Sequence, residues 1–300
     1  MARVLLLGAG ASFGSNTSGV PPLGAHLYDA LCAFNPPGWG AVPAEFAARF
    51  RADFESAMRE LGDAHPHSVP PLQRAMAAYF FSFLPASNSL YFELAWRIRA
   101  ARWPGAICTL NYERLLELSL SAHALRPVIG TSTTPGSTLE LCLPHGCCHI
   151  FCDGVRGNAG GVSFSGFGVT TDGPVVVVSN PQEHQQRISQ DAIPPVMSYF
   201  EPSKRTTAGA SFIAMQRTRW RELAAQADKI VAIGIRVRAN DDHIWGPIAQ
   251  SRAAVVYCSG AAAGEEFRGW ASQTRSQAQN SVFAGYFADE FSSICRELGV

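Results

Sequence analysis

The chain is poor in charge, and the charges that it carries cancel. Only 16% of its 300 residues are charged, with 24 basic and 24 acidic side chains, so the formal net charge is zero. A nucleic-acid surface normally appears as a basic excess, and we therefore expect no direct nucleic-acid binding. Apolar runs of about 18 residues are also absent, which argues against a membrane span. The N-terminal residues do not resemble a signal peptide, and we expect a cytoplasmic protein.

The eight cysteines show neither a disulfide framework nor the usual spacing of a zinc site. A chain of this length without an export signal is expected to keep its thiols reduced. Four cysteines cluster without the paired Cys-x-x-Cys spacing of structural zinc sites, namely Cys142, Cys147, Cys148 and Cys152. His149 could join them as a zinc ligand, but buried free thiols without a bound metal are our expectation.

Residues 4–12 combine an apolar run with a glycine-rich turn. The run predicts a buried strand, and Gly8 and Gly10 would let a ligand approach the backbone. If a helix begins here, its N–H groups would suit a pyrophosphate. The dinucleotide-binding fingerprint is incomplete, because Phe13 stands where its third glycine belongs and Gly14 comes one residue late. This turn alone is therefore weak evidence for a nucleotide site.

The remainder of the chain alternates between helical and strand-like patterns. Apolar residues at three- and four-residue spacing predict helices at 23–34, 44–61, 72–84, 90–101, 113–120, 211–227 and 282–298. Short apolar runs predict buried strands at 106–110, 139–143, 175–179, 230–233 and 254–257. Two segments rich in turn-forming residues, 153–173 and 180–208, are interpreted as loops.

This alternation predicts an α/β fold with a Rossmann-like, doubly wound and mostly parallel sheet. We expect a single domain over residues 1–300. A helical subdomain at about 23–102, inserted after the first strand, would cap the carboxyl edge of the sheet.

Three polar motifs follow predicted strands, where ligands bind in open α/β sheets. They are Gly8 to Ser12, Thr109 to Glu113, and Pro144-His145-Gly146. Each motif also has a structural interpretation. Asn111 could cap the helix that follows it, and His145-Gly146 could form a turn. Asp241 could contact a ribose or cap a helix that starts at His243.

Taken in order, these motifs resemble the sirtuin superfamily, and more closely the bacterial sirtuin-like proteins that degrade NAD in anti-phage defence. Residues 21–24 and the later Gly234-Ile235-Arg236, with Asp241, extend the resemblance to about residue 245. Several sirtuin features are missing: the paired zinc cysteines, the Gln whose place Leu110 takes, and the loop that organises acyl-peptide chemistry. Glu113 also replaces a more usual Asp. Deacylation is therefore disfavoured.

The resemblance implies NAD as the substrate and no bound metal. Asn111 would orient the nicotinamide ribose and the attacking water, and His145 would accept a proton, which suits an imidazole near neutral pH. Thr109 would support the loop. The other implied NAD-binding residues are Gly8, Ala9, Gly10, Ala11 and Ser12 at the diphosphate, and Gly234, Arg236 and Asp241 toward the adenosine.

The expected function is an NAD glycohydrolase that releases nicotinamide and ADP-ribose. The alternatives are an ADP-ribosyl cyclase or transferase using the same site, and an NAD- or ADP-ribose-binding assembly subunit without turnover. Because a constitutive NADase would kill its host, we expect gating by self-association or by a protein partner such as a HerA-type ATPase or a short Argonaute. The 189–204 loop, with Lys204, could close over NAD.

Overall fold

The fold is built on a seven-stranded parallel sheet. The computed structural model describes residues 2–130, 133–153, 171–198, 206 and 208–300, so Lys204 and its surroundings lie outside the described residues. The strand order is β3-β4-β2-β1-β7-β8-β9. The strands of this sheet are β1 (Arg3–Leu7), β2 (Ala106–Thr109), β3 (Arg126–Val128), β4 (Thr138–Cys142), β7 (Lys229–Ile233), β8 (Ala254–Cys258) and β9 (Asn280–Phe283). All of its neighbouring strands pair in parallel.

From β1 the chain first forms β2, β3 and β4 on one side, with β3 at the edge, and later β7, β8 and β9 on the other side. The strand order therefore reverses between β1 and β7. In open α/β sheets the crevice at such a switch point, beyond the carboxyl ends of the strands, is where ligands bind.

A second, two-stranded sheet lies apart from the parallel one. It pairs β5 (Ile150–Cys152) with β6 (Val175–Val177) in antiparallel orientation. The prediction of a parallel-sheet strand at 175–179 is therefore wrong in its placement. Its run of four valines suits any strand with an apolar environment and carries no information about which sheet the strand joins.

Twelve α-helices are described, besides three short 3-10 helices. The α-helices are α1 (Ala9–Phe13), α2 (Gly24–Phe34), α3 (Ala44–Ala52), α4 (Phe54–Ala64), α5 (Val69–Phe81), α6 (Leu90–Ala100), α7 (Leu115–Ala122), α8 (Pro181–Gln190), α9 (Ala210–Gln226), α10 (Asp242–Gln250), α11 (Ala261–Thr274) and α12 (Phe287–Leu298). Of these, α2 to α6 form the expected helical insertion between β1 and β2.

Both faces of the sheet are covered, which confirms the predicted α/β class. Alternate residues of β1 point to opposite faces, with Leu5 and Leu7 in one buried cluster and Val4 and Leu6 in another. The first cluster also contains Trp39 and many other apolar side chains of the insertion, together with α7 and α12. The second is closed by α9, α10 and α11. The insertion thus shares its core with one face of the sheet.

Three boundary predictions are wrong. The helix expected at 44–61 is two helices, because Asp53 leaves the helical conformation and caps α4 by accepting from the N–H groups of Glu55 and Ser56. The helix expected at 282–298 begins only at Phe287, and β9 precedes it. The loop expected at 180–208 contains α8, with Asn180 as its N-cap.

Among the described residues, no helix is both long enough and apolar enough to cross a membrane.

Candidate functional site

At the switch point the loops after β1 and β7 are in backbone contact. The N–H of Gly8 donates to the carbonyl of Ile233, and the N–H of Gly10 donates to that of Gly234, both at 2.9 Å. A Cβ added to Gly10 would lie 2.9 Å from Gly234 Cα, and one added to Gly234 only 2.0 Å from Ala11 N. These glycines therefore allow two loops to come into contact. From sequence we expected Gly8 and Gly10 to allow the approach of a ligand.

The one-turn helix α1 begins at Ala9, which is exposed at the carboxyl edge. The N–H of Ala11 donates to the carbonyl of Gly8 at 2.9 Å. The N–H groups of Gly8, Gly10 and Ala11 are thus already used within the protein. A bound diphosphate would have to replace some of these hydrogen bonds or use other donors of the loop.

Ser12 lies at the centre of a buried hydrogen-bond network that joins the β1 and β2 loops. Asn111 Nδ2 donates to Ser12 Oγ at 2.7 Å and to the carbonyl of Gly8 at 3.2 Å. Ser12 Oγ donates to Glu113 Oε1 and lies 3.0 Å from the Tyr91 hydroxyl. All four side chains of the network are at least nine-tenths buried. This network holds Asn111 in one orientation.

The structure also decides between the capping and non-capping interpretations of Asn111. Its side chain points to the β1 loop, and the N-terminus of α7 is served instead by Glu113, whose Oε2 accepts from the N–H of Leu115. Thr109 Oγ1 accepts from the N–H of Asn111 at 3.2 Å, within the same loop. Burial raises the pKa of the Glu113 carboxyl to about 7, although the hydrogen bonds from Ser12 and Leu115 oppose this.

His145 forms a close pair with His243, which we expected from sequence to be a structural or surface residue. Their Nε2 atoms are 2.8 Å apart, so one ring donates and the other accepts. His243 lies in the first turn of α10, next to Asp241 at its N-cap. Ligand atoms of His145, Asp241 and His243 lie within 4.8 Å of one another, close enough to hold a metal ion. No sequence motif marks His243; only the fold brings α10 to the end of β4.

The turn that carries His145 is fixed from two sides. Tyr112 follows Asn111 directly, and its carbonyl accepts from the N–H of Cys148 at 3.0 Å. The Tyr112 and His145 rings are stacked with centroids 6.3 Å apart. Asn111 and His145, which follow the adjacent strands β2 and β4, are thus linked through Tyr112.

The second constraint is the 192–198 segment, all of it buried. The N–H of Ser198 donates to the carbonyl of His145 at 2.8 Å, and the N–H of Cys147 donates to that of Val196 at 3.0 Å. Gly146 has a φ of +75°, and a Cβ there would overlap the Val196 carbonyl. The described part of the expected closing loop is therefore packed against the site as a fixed wall.

The residues expected toward the adenosine lie along the ends of β7 and β8. Arg236, which we expected on the adenosine side of NAD, forms a surface ion pair with Glu266. Ser259, which follows β8 and was not singled out from sequence, accepts from the N–H of Ile235 at 3.0 Å. The Asp241 side chain does not cap α10. Gly234, Ile235 and Ser259 thus form one connected edge beside β1.

A second group of buried side chains with metal-ligand character lies just beyond His145. It comprises Cys147, Cys148 and His149, whose ligand atoms also lie within 4.8 Å of one another. Cys142 is separate, since its thiol donates to the carbonyl of Gln216 at 3.3 Å.

Together, fold and site define an α/β protein whose polar side chains gather at the carboxyl ends of β1, β2, β4 and β7. No family model matches the chain, and no curated protein matches it in sequence. A Sir2 homolog–NAD complex is similar in fold, with 14% identity over 99% of this chain and 89% of that one and a TM-score of 0.48. Sir2 in complex with the inhibitor EX-527, 2′-O-acetyl-ADP-ribose and a deacetylated p53 peptide is 12% identical over 99% and 94%, with a TM-score of 0.44. At these values neither likeness assigns a family or a function.

Proposed function

We propose that this protein binds NAD across the ends of β1, β2, β4 and β7 and hydrolyses the bond between nicotinamide and ribose. The observation that carries the proposal is the meeting of the Asn111 and His145 loops beside the switch point of a parallel sheet. An amide and an imidazole at the position where such folds bind ligands suit a reaction that needs a held ribose and a positioned water.

In the proposed reaction nicotinamide leaves as a neutral base, so its departure needs little acid assistance, and the ribose passes through an oxocarbenium-like state. Asn111 holds the ribose and the water. His145 accepts the proton that the water loses as its oxygen bonds to the ribose carbon. The products are nicotinamide, ADP-ribose and one proton. The His145–His243 contact supports this role, because it orients the base; the base must present a nitrogen without a proton to the water.

Nicotinamide release from NAD, measured by chromatography, tests the proposal. Asn111→Ala and His145→Ala should each lower the rate at least about 100-fold, the usual contribution of a general base. Matched controls are Asn88→Ala and His67→Ala, which remove exposed side chains of the same types from the helical insertion. Release at the unaltered rate in both site variants would refute the assignment.

The same chromatogram separates the alternatives. Cyclic ADP-ribose, or ADP-ribose attached to an acceptor, would identify a cyclase or transferase. Binding of ADP-ribose by calorimetry without any turnover, also in the presence of products of neighbouring genes, would identify an assembly subunit.

We further propose that the NADase serves anti-phage defence in the cytoplasm and is gated by self-association or by a protein partner, for which a HerA-type ATPase or a short Argonaute is a candidate. The reason is physiological, since unregulated NAD loss kills the cell. Sedimentation of the purified protein with and without the candidate partner, followed by the nicotinamide assay on each species, tests this gating. Equal specific activity in all species would contradict it.

A further inference from the structure

The turn after His145-Gly146 brings two thiols and an imidazole together in the protein interior. Cys147 and Cys148 are fully buried and His149 is 3% exposed. Cys147 Sγ lies 3.1 Å from His149 Nδ1. A ligand atom from each of the three residues lies within 4.8 Å of the others. These residues are distinct from the ones that the proposed NAD reaction uses.

Cys147 Sγ has two close polar neighbours. It lies 3.1 Å from the carbonyl oxygen of Tyr112 and 3.1 Å from His149 Nδ1. The Tyr112 carbonyl also accepts from the N–H of Cys148, so it does not depend on the thiol proton. The sulfur and the ring nitrogen therefore face each other at a distance that either a proton or a metal ion between them would satisfy.

Glu117 on α7 holds the far side of the His149 ring. Its Oε2 lies 3.1 Å from His149 Nε2, and the Glu117 side chain is only 13% exposed. A proton on Nε2, donated to this carboxylate, leaves the Nδ1 lone pair directed at the two cysteines. Metal-bound histidines in proteins typically donate their second ring N–H to a carboxylate in this way, which fixes the tautomer and strengthens the ligand.

We propose that Cys147, Cys148 and His149 bind a zinc ion, with Glu117 orienting His149. Two thiolates and an imidazole are the donor types that zinc prefers, and zinc accepts a water where the protein supplies three ligands. At ordinary zinc–ligand lengths a tetrahedral site separates sulfur and nitrogen by about 3.5 Å, so the Cys147–His149 contact need open by only a few tenths of an ångström. Binding releases the two thiol protons, and the buried position implies that the ion enters during folding.

The site lies between the His145 turn and α7, and the N–H of Cys148 donates to the carbonyl of Tyr112 in the loop that carries Asn111. A metal here would fix the two loops of the proposed NAD site relative to each other without contacting NAD. The expectation from sequence was instead that the cysteine cluster holds free thiols, and the zinc content of the protein decides between the two.

Elemental analysis of the full chain, produced in zinc-supplemented medium and dialysed, is the first test. We expect about one zinc per chain, and less than about a tenth of that in Cys148→Ser. The matched control is Cys295→Ser, which alters an equally buried thiol in α12 and should leave the zinc content unchanged. Zinc retained in full by Cys148→Ser, or lost equally from both variants, would overturn the assignment.

Cobalt substitution provides a readout that does not depend on the stability of a variant. Co²⁺ present while the metal-free wild-type chain is refolded should produce sulfur-to-cobalt charge-transfer absorption in the near ultraviolet. Glu117→Gln should keep that absorption but weaken Co²⁺ binding about 10- to 100-fold, as expected for a residue that only orients a ligand. The proposal would be wrong if the protein is isolated without zinc and if its Co²⁺ complex shows no charge-transfer absorption. The cluster would then consist of free thiols.

Discussion

At the residue scale, the candidate site depends on a buried carboxyl that holds two loops together. Glu113 accepts a hydrogen bond from Ser12 of the β1 loop and another from the first turn of α7. Asn111 is bonded to the same serine. A conservative substitution of Glu113 therefore changes the hydrogen bonding around Asn111 and leaves the β1 backbone unaltered.

The titration of Glu113 gives the first prediction. Burial raises its pKa to about 7 from an ordinary value of 4.5. Between pH 4.5 and 7 the Glu113 carboxyl is ionised in the unfolded chain but still protonated in the folded chain. This group therefore lowers the free energy of unfolding as the pH rises from about 4.5 to 7, and it has no further effect above pH 7. The loss amounts to about 3 kcal/mol at most.

Glu113→Gln should remove that part of the pH dependence. Urea unfolding at several pH values measures it as the difference in free energy of unfolding between the wild type and the variant. Glu265→Gln, at an exposed position, is the control and should follow the wild type. A Glu113→Gln curve parallel to the wild-type curve between pH 4.5 and 7 would contradict the proposed role of burial.

The residues of the site were only partly accessible from sequence. Asn111 and His145 follow apolar runs at strand ends, and a polar residue at that position is a recognisable signal. His243 and Tyr91 carry no such signal, because each comes from a helix whose approach to the sheet is set by packing far along the chain. The contact between Gly10 and Gly234 was likewise unpredictable, since it joins loops more than 200 residues apart.

At the element scale, the close approach of the β1 and β7 loops gives a second prediction. In Gly234→Ala the new Cβ would meet Ala11 N at 2.0 Å, and the residue would also have to keep a φ of +66°. We expect the free energy of unfolding to fall by about 3–5 kcal/mol, from overpacking and left-handed strain combined.

Gly19→Ala separates these two causes. Gly19 has nearly the same φ, +68°, but no atom within 4 Å of the added Cβ. Its loss in chemical denaturation should be only about 1 kcal/mol. Equal losses at the two positions would mean that the interlocked loops contribute nothing beyond backbone strain.

The sequence predicted elements best where the apolar periodicity was strong. Strands β1, β2, β4, β7 and β8 are apolar and buried along nearly their whole length, and all five were found. Helix α8 was missed because nearly all of its residues are polar, so it has few apolar residues from which to detect a helix. Strand β9 was missed because it lies at the sheet edge, next to α12, and its side chains are only partly buried.

The wall formed by residues 192–198 gives a third prediction. The N–H groups of Val196 and Ser198 are bonded to the carbonyls of Ile150 and His145, at 2.7 and 2.8 Å. Their amide hydrogens should exchange as slowly as those of the parallel strands, by hydrogen exchange and mass spectrometry or NMR. Exchange within about tenfold of an unstructured peptide would instead identify this part as a mobile closing loop.

At the scale of the whole molecule, the helical insertion and the sheet share one buried cluster. Trp39, in the insertion, is fully buried, donates to the Leu72 carbonyl and packs edge-on against Phe50, while Leu5 and Leu7 of β1 belong to the same cluster. Within the described residues, the insertion therefore has no core that is separate from this face of the sheet. The single domain over residues 1–300, with its helical subdomain at about 23–102, stays a prediction.

Trp39→Ala tests that organisation. It removes the largest buried side chain of the insertion and should lower the free energy of unfolding of the whole chain by about 3–5 kcal/mol. Circular dichroism and the fluorescence of the remaining tryptophans in the sheet half, such as Trp220 and Trp245, should then report one shared transition at a lower denaturant concentration. Trp96→Ala, at a position that is 55% exposed, should lower the free energy of unfolding by less than about 1 kcal/mol.

If Trp39→Ala gave two transitions, with the tryptophans of the sheet half unchanged, the insertion would be an independent unit. The proposed NAD site, whose β1 loop leads from the sheet into the insertion, would then lie at a boundary instead of within one cooperative core.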